Sequence, residues 1–160
     1  MTAVPLPPNR AAFLDMIAHS ELGTGLLACS DNGYNVIVGS TPARPLLFKS
    51  YADHPRQLVD LGRGLKSTAA GRYQLLARYF DAYKRTLGLT DFSPASQDQI
   101  ALRQIAERRA LEDIDQGRFD VAVAKVANIW ASLPGAGYGQ HENDLVALRT
   151  AYVAAGGALA

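Results

Sequence analysis

The fold is decided by residues 9–39, which read NRAAFLDMIAHSELGTGLLACSDNGYNVIVG. Apolar side chains recur at helical spacing in the first half, so we predict a helix over residues 9–20 with Asn9 as its N-cap. Closely spaced glycines then break the helix, and we expect a loop that ends at an Asp-Asn-Gly turn. Residues 34–38 are rich in β-branched side chains and favour a strand. A helix followed by a short strand indicates a mixed α and β fold.

The rest of the chain extends this pattern to an α+β domain that is mostly helical. Residues 46–48 favour a second strand, and with residues 34–38 they are expected to form a small antiparallel hairpin near the N-terminus. Helix signals occupy most of the remaining sequence. The predicted helices run from Ser67 or Thr68 to 87, and over 94–109, 111–116, 119–129 and 143–155. The Pro-rich residues 1–8 are expected to be a loose arm, and residues 9–160 a single domain.

The composition excludes several classes of protein. The chain has 160 residues, 48% of them apolar and 19% charged, which is typical of a globular domain and not of a disordered one. A single cysteine, Cys29, can form neither an internal disulfide nor a zinc finger, and it is expected to be buried or half-buried. No signal peptide or membrane-spanning run is expected, because the apolar stretches are short and interrupted.

The charge distribution argues against a nucleic-acid-binding protein. The net charge is +1, and the most basic stretch, residues 49–78, has six Lys or Arg against two Asp. This excess is too small for a nucleic-acid footprint. It fits either an anionic partner, attracted by residues such as Lys66 and Arg72, or an unevenly charged and solvated surface.

Common catalytic motifs are missing from the sequence. The three histidines, His19, His54 and His141, form no HExxH motif and no close pair, so no metal site is expected. There is no GxSxG motif, no Walker loop and no GxGxxG motif, and no cofactor is expected.

Glu21 is the candidate catalytic residue that the sequence offers. It follows the apolar face of the first predicted helix and lies at the end of that helix, where the helix dipole disfavours a negative charge. Partial burial beside the predicted hairpin acts in the same direction, and both effects raise the pKa of a carboxyl group. A carboxylic acid that stays protonated near neutral pH can serve as a general acid. A lone Glu after a helix is otherwise a surface residue.

Five longer motifs occur in one order along the chain and together carry a family resemblance. They are Ala18–Glu21 followed by Gly-Thr, Asn32–Gly39, Tyr51–Arg56, Lys66–Leu76 and Asn128–Gln140. In these segments the chain resembles the phage lambda endolysin (lambda lysozyme) family of lytic transglycosylases, over about residues 9–157. It departs from the family pattern at two places. Leu22 separates Glu21 from the Gly-Thr pair, and the loop over residues 39–50 is longer than expected.

The resemblance implies a lysozyme-like fold and an enzyme that cuts peptidoglycan. Lytic transglycosylases break the β-1,4 bond between N-acetylmuramic acid and N-acetylglucosamine and leave a 1,6-anhydromuramic acid end. Glu21 matches the catalytic glutamate of the family. The residues expected to contact the glycan strand are Tyr73, Gln74, Tyr138, Gln140 and Ser20. Ser20 is expected to orient Glu21 or to cap the helix end, and Tyr73, taken alone, is also typical of a core residue.

The same resemblance implies a partner and a location. A monomeric enzyme without a leader is expected to stay in the host cytoplasm until a separate phage holin permeabilises the membrane, and then to act on periplasmic peptidoglycan. Two alternatives stay open from the residues themselves. One is a hydrolytic muramidase that uses Glu21 with Asp31 or Asp53 as a second carboxylate. The other is a wall-binding domain that holds glycan without cutting it.

Overall fold

Six helices and one two-stranded sheet are found in residues 4–137 and 142–160, the part of the chain that the computed structural model describes. The helices are α1 (Pro8–Ala28), α2 (Ala77–Leu87), α3 (Pro94–Glu107), α4 (Leu111–Asp115), α5 (Phe119–Val126) and α6 (Leu145–Ala154). The strands are β1 (Val59–Gly62) and β2 (Leu65–Ser67), and they pair antiparallel. This is the α+β arrangement predicted from the sequence. None of the helices described has the length and apolar character needed to span a membrane.

Helix α1 is longer than predicted and contains a kink. Gly23 has non-helical backbone angles, φ 77° and ψ 162°, so the helix breaks where the sequence places its glycines and then resumes to Ala28. Asn9 is not the N-cap, because the helix begins at Pro8. The Asn9 side chain instead donates to the carbonyl of Ile114 at 3.0 Å and accepts from the amide of Ala158 at 2.9 Å. Cys29, just beyond the helix, is exposed, which corrects the expectation of a buried thiol.

The chain divides into two compact units. The first contains the residues up to Glu21 together with Leu102–Ala160. Its core includes Phe13, Phe119 and Tyr152, which are at most 3% exposed and have ring centroids 4.8–6.5 Å apart. Burial of an aromatic side chain of this kind contributes about 1.5–3 kcal/mol to folding, which makes these rings a major source of stability in the first unit.

The second unit is Leu22–Ala101, and its core is also aromatic. The buried residues that pack together there are Ala70, Leu75, Phe80, Phe92 and Ile100. His54 lies among them, 2% exposed, with its ring centroid 4.8 Å from that of Phe92. Burial lowers the pKa of His54, so the ring is neutral at pH 7.

The hairpin forms at a different place from the one predicted. Residues 34–38 and 46–48 approach each other only through an isolated antiparallel bridge between Val36 and Leu47. The sheet is built instead by β1 and β2, joined by Arg63 and Gly64, which both have positive φ (54° and 76°). Two positive φ values fit the tight turn that matches the twist of a two-stranded ribbon. Because β1 and β2 are mostly exposed, their sequences lack the apolar alternation that identifies a half-buried strand.

Helix α2 begins about nine residues later than predicted. Gly71 (φ 83°) and Gln74 (φ 51°) hold the backbone in left-handed conformations, which an α-helix does not allow. Residues 71–74 therefore form a turn, closed by the pairing of Ala70 with Leu75. Thr68 keeps part of its predicted role, because its hydroxyl accepts the amide of Ala77, the first residue of α2. Gly88 ends α2 in the left-handed conformation, as predicted.

Gly71 is required for two independent reasons, and a substitution series separates them. Its φ is positive, and a Cβ atom at this position meets the side chains of Gln97 and Phe92. Gly62 has nearly the same φ, 86°, but open space around it. We expect Gly62→Ala to cost about 1 kcal/mol through backbone strain alone. Gly71→Ala should cost about 1–3 kcal/mol more because it also overpacks the interior.

The measurement is the free energy of unfolding from urea titrations of both variants. Equal losses in Gly62→Ala and Gly71→Ala would show that the close approach of Gln97 to Gly71 has no energetic consequence.

Candidate active site

Glu21 lies on α1, two residues before the kink at Gly23, and its side chain is half-buried. Burial raises the pKa of Glu21 to about 7, and a hydrogen bond with Ser132 offsets part of this increase. The direction agrees with the sequence prediction, and the largest cause is loss of water around the carboxyl group. Glu21 is therefore protonated in a large fraction of molecules at neutral pH.

Ser20, next to Glu21, is 8% exposed and belongs to a hydrogen-bonded cluster. Its hydroxyl lies 2.8 Å from the hydroxyl of Ser132. The side-chain amide of Asn143 donates to the Ser20 hydroxyl and to the Ser20 carbonyl, each at 3.0 Å. Ser132 and Asn143 were not singled out from the sequence, because neither type of residue nor its spacing suggests an acid-positioning role.

Tyr73 and Gln74 lie in the turn before α2 and not in its first helical turn as predicted. Tyr73 is 5% exposed, and its hydroxyl donates to Asp98 at 2.6 Å. Burial raises the pKa of Tyr73 well above its ordinary value, so the hydroxyl keeps its proton and acts as a donor. Gln74 is half-buried, and its side-chain amide donates to the carbonyl of Gly71 at 2.8 Å.

Arg72 is an interior residue and not the surface cation that the sequence suggested. It is 4% exposed, and its guanidinium lies 5.3 Å from the ring centroid of Tyr34 and 5.6 Å from that of Tyr73. Its Nε donates to the carbonyl of Asn32 at 3.0 Å, and its Nη1 donates to the Tyr73 hydroxyl at 3.0 Å. Buried charges need such partners to offset the loss of hydration. The basic stretch therefore presents less positive charge to solvent than its composition indicates.

Gln97 connects the segments around this turn and was missed in the sequence. It is 3% exposed on α3, where its Oε1 accepts the backbone amide of Arg72 at 2.9 Å. Its Nε2 donates to the carbonyls of Tyr34 and Phe92, both at 3.0 Å. One buried amide thus satisfies three backbone groups that are far apart in the sequence. Its position directly after the Ser93-Pro94 helix start places it on α3 but does not show that it points inward.

The two carboxylates considered as alternatives to a single acid have other partners in the second unit. Asp53 accepts from Arg56 Nε at 2.8 Å and from Arg56 Nη2 at 3.2 Å. This pairing holds the pKa of Asp53 below its ordinary value. Asp31 accepts a 2.5 Å hydrogen bond from the hydroxyl of Tyr51.

His54 is held by hydrogen bonds within the second unit. Both ring nitrogens of His54 are bonded, Nε2 to the carbonyl of Leu75 at 2.8 Å and Nδ1 to the amide of Arg56 at 2.9 Å. Across residues 4–137 and 142–160, no three His, Cys, Asp or Glu side chains are grouped in a way that could hold a metal ion. Tyr138 and Gln140 lie outside the described residues.

Solved structures provide the first comparison with known proteins. The structure matches bacteriophage lambda lysozyme complexed with a chitohexasaccharide, with a TM-score of 0.91 and 52% identity, over 99% of this chain and 100% of that one. A second structure of lambda lysozyme matches with a TM-score of 0.86, 51% identity and the same coverage. The predicted lysozyme-like fold is confirmed.

Curated relatives agree with the structural match. The chain is 54% identical over 156 residues to the endolysin of Escherichia phage lambda, covering 96% of this chain and 95% of that protein. It is 46% identical over 162 residues to the endolysin of Escherichia phage P2, with 98% of both chains covered. The Endolysin family model matches residues 11–159. The chain therefore belongs to the endolysin family, as the sequence motifs predicted.

Proposed function

We propose that this endolysin, a peptidoglycan-cleaving enzyme, is a lytic transglycosylase in which Glu21 is the single catalytic acid and base. The substrate is the β-1,4 bond between N-acetylmuramic acid and N-acetylglucosamine. The Glu21 carboxylic acid gives its proton to the glycosidic oxygen as the bond to C1 of the muramic acid breaks. The resulting carboxylate takes the proton of the C6 hydroxyl while O6 bonds to C1, which closes the 1,6-anhydro ring and restores the acid.

The observation that carries this proposal is the burial of the Glu21 carboxyl group, which raises its pKa to about 7. General acid–base catalysis is most efficient when the pKa lies close to the working pH. A pKa near 7 lets the same carboxyl donate a proton in the first half of the reaction and accept one in the second. An ordinary glutamate, with a pKa of 4.5, is almost wholly ionised at pH 7 and is a poor donor.

A single carboxylate is sufficient because the nucleophile belongs to the substrate. A hydrolytic glycosidase needs a second carboxylate as nucleophile or as the base that activates water. The C6 hydroxyl is held next to C1 by the sugar ring, so its high effective concentration replaces that second group. The ion pair between Asp53 and Arg56 supports this choice, because a carboxylate held by a guanidinium is a weaker base and nucleophile.

For glycan binding we propose Gln74, Tyr138, Gln140 and Ser20. Tyr73, the fifth residue of the predicted set, belongs to the same proposal, and its hydroxyl donates to Asp98. The chitohexasaccharide in the related lambda lysozyme supports a β-1,4-linked amino-sugar chain as the ligand.

The proposed route of the enzyme to its substrate is the one that the family resemblance implies. The enzyme acts as a monomer on periplasmic peptidoglycan, after a separate holin allows it to leave the host cytoplasm.

The first test combines Glu21→Gln with analysis of the released muropeptides. The amide cannot donate a proton to the leaving oxygen, so lysis of purified walls should fall by about 10²–10⁴-fold or more. Glu112→Gln, the same change at an exposed position on α4, should keep full activity. Wild-type products should end in anhydromuramic acid, about 18 Da lighter than hydrolysis products, and should resist borohydride.

Two further variants distinguish this mechanism from hydrolysis. Asp31→Asn and Asp53→Asn should each keep substantial activity, with melting temperatures recorded because Asp53→Asn also breaks an ion pair. Reducing sugars as products, with either variant inactive, would identify a two-carboxylate muramidase. Unchanged products and activity in Glu21→Gln would overturn the assignment of Glu21.

The second test uses the stability cost of the buried acid. The folded-state pKa of Glu21 lies above its ordinary value of 4.5, so ionisation disfavours the folded state as pH rises towards about 7. Relative to the wild type, Glu21→Gln should therefore gain stability between pH 4.5 and 7. The gain should level off above pH 7 at about 3–4 kcal/mol, because each unit of difference between the folded and unfolded pKa values is about 1.4 kcal/mol.

Urea unfolding at several pH values measures this difference, and Glu112→Gln serves as the control because its side chain is exposed. If the difference in unfolding free energy between Glu21→Gln and the wild type does not change with pH, the pKa of Glu21 is not raised in the folded protein.

A further inference from the structure

We propose that Asn143 is a positioning residue for the catalytic acid: acting through Ser20, it makes the Ser132 hydroxyl donate its proton to Glu21. The proposal rests on the function assigned above to Glu21. All four residues belong to the first unit, and the structure brings them together from α1, from the segment after α5 and from the segment before α6. We call this chain of hydrogen bonds the Asn143 relay.

The orientation of the Asn143 side chain is determined by its carbonyl partners. Its nitrogen lies 3.0 Å from the backbone oxygen of Ser20 and 3.4 Å from that of Ser132. A carbonyl oxygen can only accept a hydrogen bond, so the group that faces both must be the NH₂ of the amide and not its oxygen. The backbone amide of Asn143 also donates to the Ser132 carbonyl at 2.8 Å, which holds the residue against this segment.

The direction of the next hydrogen bond follows from the first. The same Asn143 NH₂ lies 3.0 Å from the Ser20 hydroxyl oxygen, which must therefore accept. The hydrogen of the Ser20 hydroxyl is then directed to Ser132 Oγ at 2.8 Å, an ideal distance for a hydroxyl pair. The Ser132 carbonyl, at 3.4 Å from the same hydroxyl, is the poorer acceptor.

Ser132 is thereby left with one way to use its own proton. Its oxygen accepts from Ser20, so its hydrogen is free to be donated to the carboxyl group of Glu21. A hydroxyl that donates to Glu21 stabilises the carboxylate form, and the hydrogen bond with Ser132 accordingly lowers the pKa of Glu21. Burial favours the acid form and the Asn143 relay favours the carboxylate, which is the form that must accept the C6 proton.

The test is the pKa of Glu21, measured in two ways on the full chain. One is the basic limb of the pH profile of kcat/KM, expected near pH 7 in the wild type. The other is direct titration of the ¹³C-labelled Glu21 carboxyl group by NMR, which needs no substrate. Ser132→Ala should move both to higher pH by about 0.5–1. Ser20→Ala and Asn143→Ala should move them in the same direction by a smaller amount.

The decisive variants are double variants that combine Ser132→Ala with a second substitution. Because Asn143 acts only through Ser132, adding Asn143→Ala or Ser20→Ala to Ser132→Ala should cause no further shift. Asp144→Ala is the matched control: it removes the side chain that caps α6, accepting from the amide of Val146, yet leaves the relay intact. It should reduce the melting temperature without moving the pKa of Glu21.

Three outcomes would overturn the proposal: no shift in Asn143→Ala, additive shifts in the doubles, or an equal shift in Asp144→Ala, which would indicate a purely structural role. Ser20→Ala tests the same relay should Asn143→Ala fail to fold. The NMR titration separates the two proposals. Non-additive pKa shifts alongside a fully active Glu21→Gln would leave the relay standing and remove the assigned catalysis.

Discussion

Removal of the Glu21 carboxyl group from water is the constraint around which the site is organised. Desolvation raises its pKa to about 7, and the protein bears this cost in the folded state. A buried acid without any partner would stay protonated through the reaction, and one with strong partners would ionise too early. The hydrogen bond with the Ser132 hydroxyl offsets part of the increase, so the pKa of Glu21 lies between these two extremes. In the mechanism proposed here, the chemistry therefore depends on a balance between burial of Glu21 and the hydrogen bond from Ser132.

The second unit uses buried polar groups for a different purpose. Arg72, Tyr73 and Gln97 are each at most 5% exposed, and the hydrogen bonds they make join the loop around Tyr34, the turn at 71–74 and helix α3. The loop around Tyr34 and the turn at 71–74 lie outside the helices and the two-stranded sheet. The Gln97 side-chain amide and the Arg72 guanidinium therefore supply hydrogen bonds that connect the loop and the turn to α3 and to each other.

Much of the fold could be predicted because its signals are local. The Ser93-Pro94 start of α3 and the end of α2 at Gly88 are confirmed, since a helix cap or a left-handed glycine is determined by a few neighbouring residues. The hairpin was placed wrongly for the same reason. Residues 34–38 have the right composition for a strand but lack a partner that extends the pairing, whereas β1 and β2 pair through a turn at Arg63 and Gly64.

The sequence by itself determined the family, the class of fold and the glutamate that we propose as the catalytic acid, because motifs and helix ends are properties of adjacent residues. Only the tertiary structure decided how far the pKa of that glutamate is shifted and which groups shift it. Ser20 and Asn143 are 123 positions apart, and their hydrogen bond cannot be deduced from either local sequence. The same holds for the burial of Arg72 and for the three bonds of Gln97. A pKa or a hydrogen-bond direction depends on which distant groups exclude water and supply donors, and folding alone brings those groups together.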